Sequence, residues 1–124
     1  MDQAPAVERI SVVEAARRLE AAASNGDPML VDVREPAEYA QFRATGAVLV
    51  PLSVFQLRFS QLPRDRPLLL ICAAGQRSLA AGEFLISQGY ETVANVEGGS
   101  IGWMRAGLPV RTGPPDDGEG DLPA

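Results

Sequence analysis

Short apolar runs alternate along this chain with longer segments of helical periodicity. The runs lie at 29–33, 47–50, 68–72 and 93–96, and each has the length of a strand. Residues 7–10 are a further candidate for a short strand. The segments between them place apolar residues at helical spacing, most clearly at 12–23 and 78–86. Strands that alternate with helices are typical of an α/β domain with a parallel sheet, because each parallel pair needs a crossover connection. We therefore predict an α/β fold.

The stretch at 68–78 carries the candidate chemistry. Cys72, the only cysteine, ends an apolar run, and a short loop leads from it into a helix that we expect to begin at Ser78. The N–H groups of a helix's first turn have no partner within the helix, and the helix dipole is positive there. Both effects, together with Arg77, favour an anion at the cysteine. We therefore predict a thiol whose pKa lies below the usual value of about 8.5.

Two residues of this stretch have more than one interpretation. A lone cysteine after an apolar strand is often only a small buried hydrophobic residue. A cysteine that only packs has no need of the loop that follows, so the loop favours a functional thiol. The Ser78 hydroxyl either caps the helix or donates to the sulfur, and the N-cap preference of serine favours the cap.

Motifs on both sides of this loop resemble one family. The segment Cys72-Ala73-Ala74-Gly75-Gln76-Arg77-Ser78 resembles the Cys-x-x-Gly-x-Arg-Ser loop of rhodanese-like sulfurtransferases. Residues 32–39 are similar to that family's Asp-Val-Arg-Glu-Pro-x-Glu-Tyr segment, and 96–110 is similar to its C-terminal half. The motifs follow one another in order over most of residues 7–110.

The resemblance implies a single rhodanese-like domain over residues 7–111, with a central, mostly parallel five-stranded sheet flanked by helices on both faces. It implies a sulfurtransferase that carries sulfane sulfur as a persulfide on Cys72, without a metal or another cofactor. Asp32 and Arg34 would brace the loop through Arg77, and the alternative for these two is a surface charge cluster. The terminal sulfur would lie among the backbone N–H groups of Ala73, Ala74, Gly75, Gln76, Arg77 and Ser78. The expected partners are a small sulfur donor (thiosulfate or a persulfide) and a thiol acceptor, with a sulfur-relay protein as a further candidate.

Two segments stand apart from this pattern. The turn Phe42-Arg43-Ala44-Thr45-Gly46-Ala47 lies where family members commonly have Gly-His-Ile-Pro-Gly-Ala, which puts the rim of the site in question. Residues 112–124 are acidic and rich in glycine and proline, so we expect a disordered tail there, and a flexible N-terminus over 1–6.

The composition excludes several kinds of chemistry. The 124 residues include no histidine and no lysine, so a Cys-His dyad, a histidine metal site and a lysine Schiff base cannot form within the chain. Residues 1–111 carry 11 arginines and 12 acidic residues, and this near-neutral balance argues against nucleic-acid binding. We expect no export signal and no membrane partner, and we expect the lone thiol to remain reduced in the cytoplasm.

Loop length separates two chemistries that use a cysteine of this kind. Cysteine-dependent phosphatases have five residues between cysteine and arginine, whereas four separate Cys72 from Arg77. The shorter ring of N–H groups suits one extra sulfur and is cramped for a phosphoryl group, which favours sulfur transfer. A non-catalytic binding or redox-sensing module is the other alternative, and the altered turn at 42–45 is its motivation. An enzymatic site requires that substrate can reach the sulfur and that the surrounding amides point to it.

Overall fold

The computed structural model describes residues 5–22 and 27–123 and has an α/β architecture. In chain order the elements are β1 (Glu8–Ser11), α1 (Val12–Glu20), β2 (Met29–Asp32), α2 (Pro36–Gln41), β3 (Phe42–Ala44), β4 (Val48–Leu49), α3 (Phe55–Arg58), β5 (Leu68–Ile71), α4 (Gln76–Ser87), β6 (Val93–Glu97), α5 (Gly99–Arg105) and β7 (Val110–Thr112). Two 3-10 turns, Leu52–Val54 and Phe59–Gln61, flank α3. Helix α1 ends at Glu20, and its predicted end near Ala23 lies outside the described residues.

Five of the strands form one sheet in the order β1-β6-β5-β2-β4. Each neighbouring pair in this sheet is parallel. The predicted α/β class and the five-stranded sheet are confirmed. Because the strands are parallel, β2, β5 and β6 all end at the same edge of the sheet, which is where open α/β sheets hold their ligands.

Both faces of the sheet are buried, which explains why the strands are continuous apolar runs. In β5, Leu68 and Leu70 pack into one apolar cluster, while Leu69 and Ile71 pack into another on the opposite face. Side chains of α3 and α4 complete the first cluster, and α1 and α5 complete the second, with Trp103 as the largest residue of α5 there. The two clusters hold β5 rigidly in the centre of the sheet. None of the helices in the described ranges has the length and apolar character needed to cross a bilayer.

The C-terminal segment differs from the expected disordered tail. Strand β7 pairs antiparallel with β3, and the chain then runs beside the edge strand β4, where the N–H of Leu49 donates to the carbonyl oxygen of Gly120 at 2.7 Å. Leu122 packs against the first apolar cluster. The described part of the tail therefore has a defined course.

Arg43 explains why the tail is held. Its side chain is 1% exposed, and such a buried cation needs an anion close by. The two oxygens of the Glu119 carboxylate accept from Nε and Nη2 of Arg43 at 2.6 and 2.8 Å. The carbonyl oxygens of Tyr39 and Gly113 accept from Nη1 at 3.1 and 2.7 Å. The turn that departs from the family pattern thus supplies the anchor of the tail.

Candidate active site

Cys72 directly follows β5, at the sheet edge where the parallel strands end. The helix after it starts earlier than predicted, at Gln76, and its N-cap is Gly75. Gly75 has a φ of +108°, a conformation that glycine adopts without a side-chain penalty. The predicted capping role of Ser78 is therefore wrong. Ser78 is the third residue of α4, where its N–H has no partner within the helix and is free to face the cysteine.

Several hydrogen bonds converge on the sulfur of Cys72. The N–H groups of Gly75 and Ser78 donate to Sγ at 3.1 and 3.3 Å, and the Ser78 hydroxyl oxygen lies 3.2 Å from Sγ. Burial of the thiol by itself raises its pKa. Hydrogen bonds from the hydroxyl and N–H of Ser78 and from the N–H groups of Gly75 and Ala74 outweigh that effect. The pKa of Cys72 is therefore lower than that of an ordinary thiol, in agreement with the sequence-based expectation.

Only some of the backbone N–H groups that were predicted to surround the terminal sulfur contact Sγ. Ala74, Gly75 and Ser78 act on the sulfur directly. Among the described residues, no hydrogen bond joins Sγ to the N–H groups of Ala73, Gln76 or Arg77. Whether those groups hold a second sulfur, beyond Sγ, stays a prediction.

The burial of Cys72 does not meet the requirement that substrate can reach its sulfur. Cys72 is 1% exposed and belongs to the apolar cluster between the sheet and α3 and α4. Ala74 and Gln76 are the exposed residues of the loop around it. The amides point at the sulfur as required, but this arrangement leaves almost no open path to it.

The start of α5 fixes the base of the loop. The N–H groups of Ser100 and Ile101 donate to the carbonyl oxygens of Cys72 and Ala73 at 2.7 and 3.1 Å. A side chain on Gly99, which has a φ of +62°, would overlap both carbonyl oxygens. Glycine at position 99 thus allows α5 to approach the loop closely.

Arg77 is paired with Glu38, a partner that the sequence did not predict for it. Its Nη1 and Nη2 donate to the two carboxylate oxygens of Glu38 on α2, both at 2.8 Å. This interaction lowers the pKa of Glu38 to about 2, so the carboxylate is ionised at neutral pH. Arg77 is therefore not an uncompensated positive charge.

Asp32 and Arg34 form a buried ion pair beside this contact. Nη2 of Arg34 donates to Oδ2 of Asp32 at 2.8 Å, and the side chains are 2% and 0% exposed, which rules out the surface-cluster alternative. Arg34 also donates to the carbonyl oxygen of Glu38 at 3.3 Å and to that of Phe42 at 2.7 Å. Asp32 and Arg34 make no hydrogen bond to Arg77, so any brace runs from Arg34 through Glu38 to Arg77.

A second residue missed in the sequence is Asn95 on β6. It is 0% exposed, and its Oδ1 accepts from the Ser78 hydroxyl at 2.5 Å. A polar residue in the middle of the apolar run 93–96 was the available signal, because a buried amide needs partners. In the part of the chain that the structure describes, no group of histidine, cysteine, aspartate or glutamate side chains could hold a metal ion.

Comparison with known proteins agrees with this geometry. The model of the rhodanese-like domain matches residues 15–106. A sulfurtransferase of Allochromatium vinosum is 42% identical over 88 residues, 71% of this chain and 82% of that protein. The thiosulfate sulfurtransferase GlpE of Glaesserella parasuis is 32% identical over 89 residues, 72% of this chain and 82% of that protein.

A solved structure extends the similarity to three dimensions. The crystal structure of a rhodanese-related protein from Thermoplasma volcanium matches with a TM-score of 0.74 at 33% identity, over 84% of this chain and 97% of that one. The fold and the cysteine loop define an α/β domain with a single thiol at the edge of a parallel sheet. The chain belongs to the rhodanese-like domain family.

Proposed function

We propose that this protein is a sulfurtransferase that accepts a sulfane sulfur on Cys72 and passes it to a thiol. The convergence of main-chain donors and the Ser78 hydroxyl on Sγ is the observation that carries the proposal. These groups favour the thiolate, which is the nucleophilic form of cysteine. The four-residue spacing to Arg77 and the names of the two relatives favour sulfur transfer over phosphoester hydrolysis.

The proposed cycle has two steps and needs no oxidant. In the first, the Cys72 thiolate attacks the sulfane sulfur of the donor, an S–S bond forms, and the donor's remaining fragment leaves with the electron pair of the broken bond. In the second, an acceptor thiolate attacks the outer sulfur of the persulfide, and Cys72 leaves as a thiolate. The donors on Sγ stabilise the charge at the beginning and the end of the cycle. A reducing compartment such as the cytoplasm would keep the thiol free for this cycle.

Persulfide formation tests this proposal directly. Incubation with thiosulfate or with a low-molecular-weight persulfide is expected to add the mass of one sulfur atom at Cys72. Intact-protein and peptide mass spectrometry would detect the addition, and a thiol reductant is expected to remove it. A folded protein that gains no sulfur from either donor would contradict the proposal.

The burial of Cys72 favours a second candidate, a binding or redox-sensing module without transfer activity. A thiol that is 1% exposed is poorly placed for turnover unless the loop moves. Transfer of the added sulfur to an acceptor thiol over many turnovers separates the two candidates, because neither a binding module nor a redox sensor would catalyse it. In a module that only binds a partner, Arg77 and the donors to Sγ would serve to pack the loop.

The Arg77–Glu38 pair leads to a prediction about the donor. Because Glu38 neutralises the only cation of the loop, a doubly charged donor such as thiosulfate gains little from Arg77. The variant Glu38→Gln removes the carboxylate and keeps an oxygen that can accept a hydrogen bond. We expect it to lower the KM for thiosulfate by roughly threefold to tenfold, because the charge of Arg77 would then be uncompensated and would attract the anionic donor.

Steady-state kinetics with thiosulfate and cyanide measures this effect. Glu35→Gln on the same segment is the matched control, since Glu35 bonds Ser53 and not Arg77. An unchanged or higher KM in folded Glu38→Gln would show that Arg77 does not contact the donor.

A further inference from the structure

The hydroxyl of Ser78 has one proton and two acceptors within reach. Oδ1 of Asn95 lies 2.5 Å from the hydroxyl oxygen, and Sγ of Cys72 lies 3.2 Å from it. A hydroxyl donates one hydrogen bond at full strength at a time. Cys72 and Asn95 therefore compete for the same proton.

The orientation of the Asn95 amide is fixed by its other contacts. Its Nδ2 donates to the carbonyl oxygen of Gly75 at 3.0 Å and to the carboxylate of Glu97. Rotating the amide by half a turn would place Oδ1 against these two acceptors. Oδ1 must therefore face Ser78, where it can only accept.

We propose that Asn95 is a positioning residue that competes with Cys72 for the single hydroxyl proton of Ser78. When the sulfur is an uncharged thiol or persulfide, the proton lies on the Asn95 side, and the hydroxyl oxygen can accept from the thiol. When the sulfur is a thiolate, the hydroxyl turns to Sγ and leaves the buried Oδ1 without its donor. That loss is a cost of forming the thiolate, because an unsatisfied buried acceptor is unfavourable.

The same competition would act in sulfur transfer, and this step of the inference rests on the proposed function. In the second step of the cycle, charge returns to Sγ as the bond to the outer sulfur breaks. The hydroxyl of Ser78 would then turn from Asn95 to the leaving thiolate. Asn95 would thus set how strongly Ser78 favours the charged forms of Cys72.

The charged groups around the site are paired with one another. They are Arg77 with Glu38, Glu97 with Arg9, and Arg34 with Asp32. The Arg9 contact lowers the pKa of Glu97, and the Arg77 contact lowers the pKa of Glu38. A change in the titration of Cys72 near neutral pH can therefore be assigned to the thiol and its hydrogen bonds.

Two substitutions that act on the same proton are expected to have opposite effects. Asn95→Ala removes the competing acceptor and is expected to lower the titration midpoint of Cys72 by about half to one pH unit, a threefold to tenfold change in the acid constant. Ser78→Ala removes the proton itself and is expected to raise the midpoint. In the Ser78→Ala background, Asn95→Ala is expected to have no further effect, because no hydroxyl remains to be shared.

Thiolate absorbance in the ultraviolet, taken as the difference from the Cys72→Ser variant, measures the midpoint without any reagent reaching the sulfur. The chain has one cysteine, so this difference reports Cys72 alone. The measurement also needs no sulfur donor, so it is independent of whether the protein transfers sulfur. Its failure is therefore distinguishable from failure of the proposed function.

A control separates this role from a general loosening of β6. Val96→Ala affects the neighbouring buried residue, which packs on the opposite face from Cys72, and it is expected to leave the midpoint unchanged. If Asn95→Ala does not fold, Asn95→Leu is the variant to measure, because it also removes the acceptor and fills the space with apolar atoms. A midpoint of Cys72 that rises or stays constant in the folded Asn95 variant would overturn the proposal. So would a fall in the midpoint on Asn95→Ala that is as large in the Ser78→Ala background as in the wild-type background.

Discussion

Replacing Cys72 with serine is expected to reduce sulfur transfer by at least about 10³-fold, the scale on which loss of a nucleophile acts in enzymes that form covalent intermediates. The chain has no second thiol that could take over the step. A serine hydroxyl at this position is essentially un-ionised at neutral pH and forms no persulfide. Transfer from thiosulfate to cyanide, together with the mass of the protein after incubation with donor, measures the loss.

The variant is expected to remain folded. The position is more buried than its place in a loop suggested, since Cys72 packs within the apolar cluster. The N–H groups of Gly75 and Ser78 would give the new hydroxyl hydrogen-bond partners. We therefore expect a loss of about 1–2 kcal/mol in the free energy of unfolding, which an ordinary domain tolerates.

Val96→Ala is a suitable comparison, because it destabilises the core without changing any group that contacts Sγ. If Val96→Ala keeps transfer activity and Cys72→Ser does not, the loss belongs to the thiol and not to stability. Appreciable transfer by folded Cys72→Ser would contradict the proposed mechanism.

The fold could be predicted from the sequence because its strands are marked by local patterns of apolar residues. In β5, four consecutive apolar residues reflect a strand whose two faces are both covered, and Leu68 and Leu69 indeed pack on opposite sides. The position of Cys72 at the end of this strand placed it at the edge where parallel sheets hold ligands. Local pattern and topology together were enough to locate the candidate site.

The internal arrangement of the site was less predictable, because it depends on contacts between distant segments. The preference of serine for N-caps was outweighed by Gly75, whose positive φ lets the helix begin earlier. The partner of Arg77 lies 39 positions away in the sequence, and the partner of Ser78 lies 17 positions away. No spacing rule within one element could identify Glu38 or Asn95 as those partners.

The C-terminal tail, residues 112–124, is the clearest case in which contacts between distant segments could not be predicted. Composition predicted disorder, because residues 112–124 contain almost no apolar side chains. Composition does not register that Arg43 is buried and needs a carboxylate, or that Glu119, 76 positions later, supplies it. Long-range contacts, this ion pair and the pairing of β7 with β3 among them, therefore give a defined course to a segment whose composition predicts disorder.

Replacing Glu119 with glutamine is accordingly expected to lower the free energy of unfolding at pH 7 by about 2–3 kcal/mol, because it leaves the buried Arg43 without its counter-charge. The side chain of Glu119 is 15% exposed, which makes the effect smaller than for a fully buried pair. Urea unfolding followed by circular dichroism measures the difference. Asp117→Asn, which makes the same change in net charge at an exposed position of the same tail, is expected to have little effect.

The pH dependence of this difference gives an independent check. The hydrogen bond from Arg43 lowers the pKa of Glu119 from 4.5 to about 2. A carboxyl whose pKa is lower in the folded than in the unfolded state stabilises the fold above the unfolded pKa, and this contribution disappears as the pH falls to the folded one. The stability gap between wild type and Glu119→Gln should therefore be largest above pH 4.5 and should shrink as the pH falls towards about 2. A gap that is absent at pH 7 would mean that Glu119 does not stabilise the fold through Arg43.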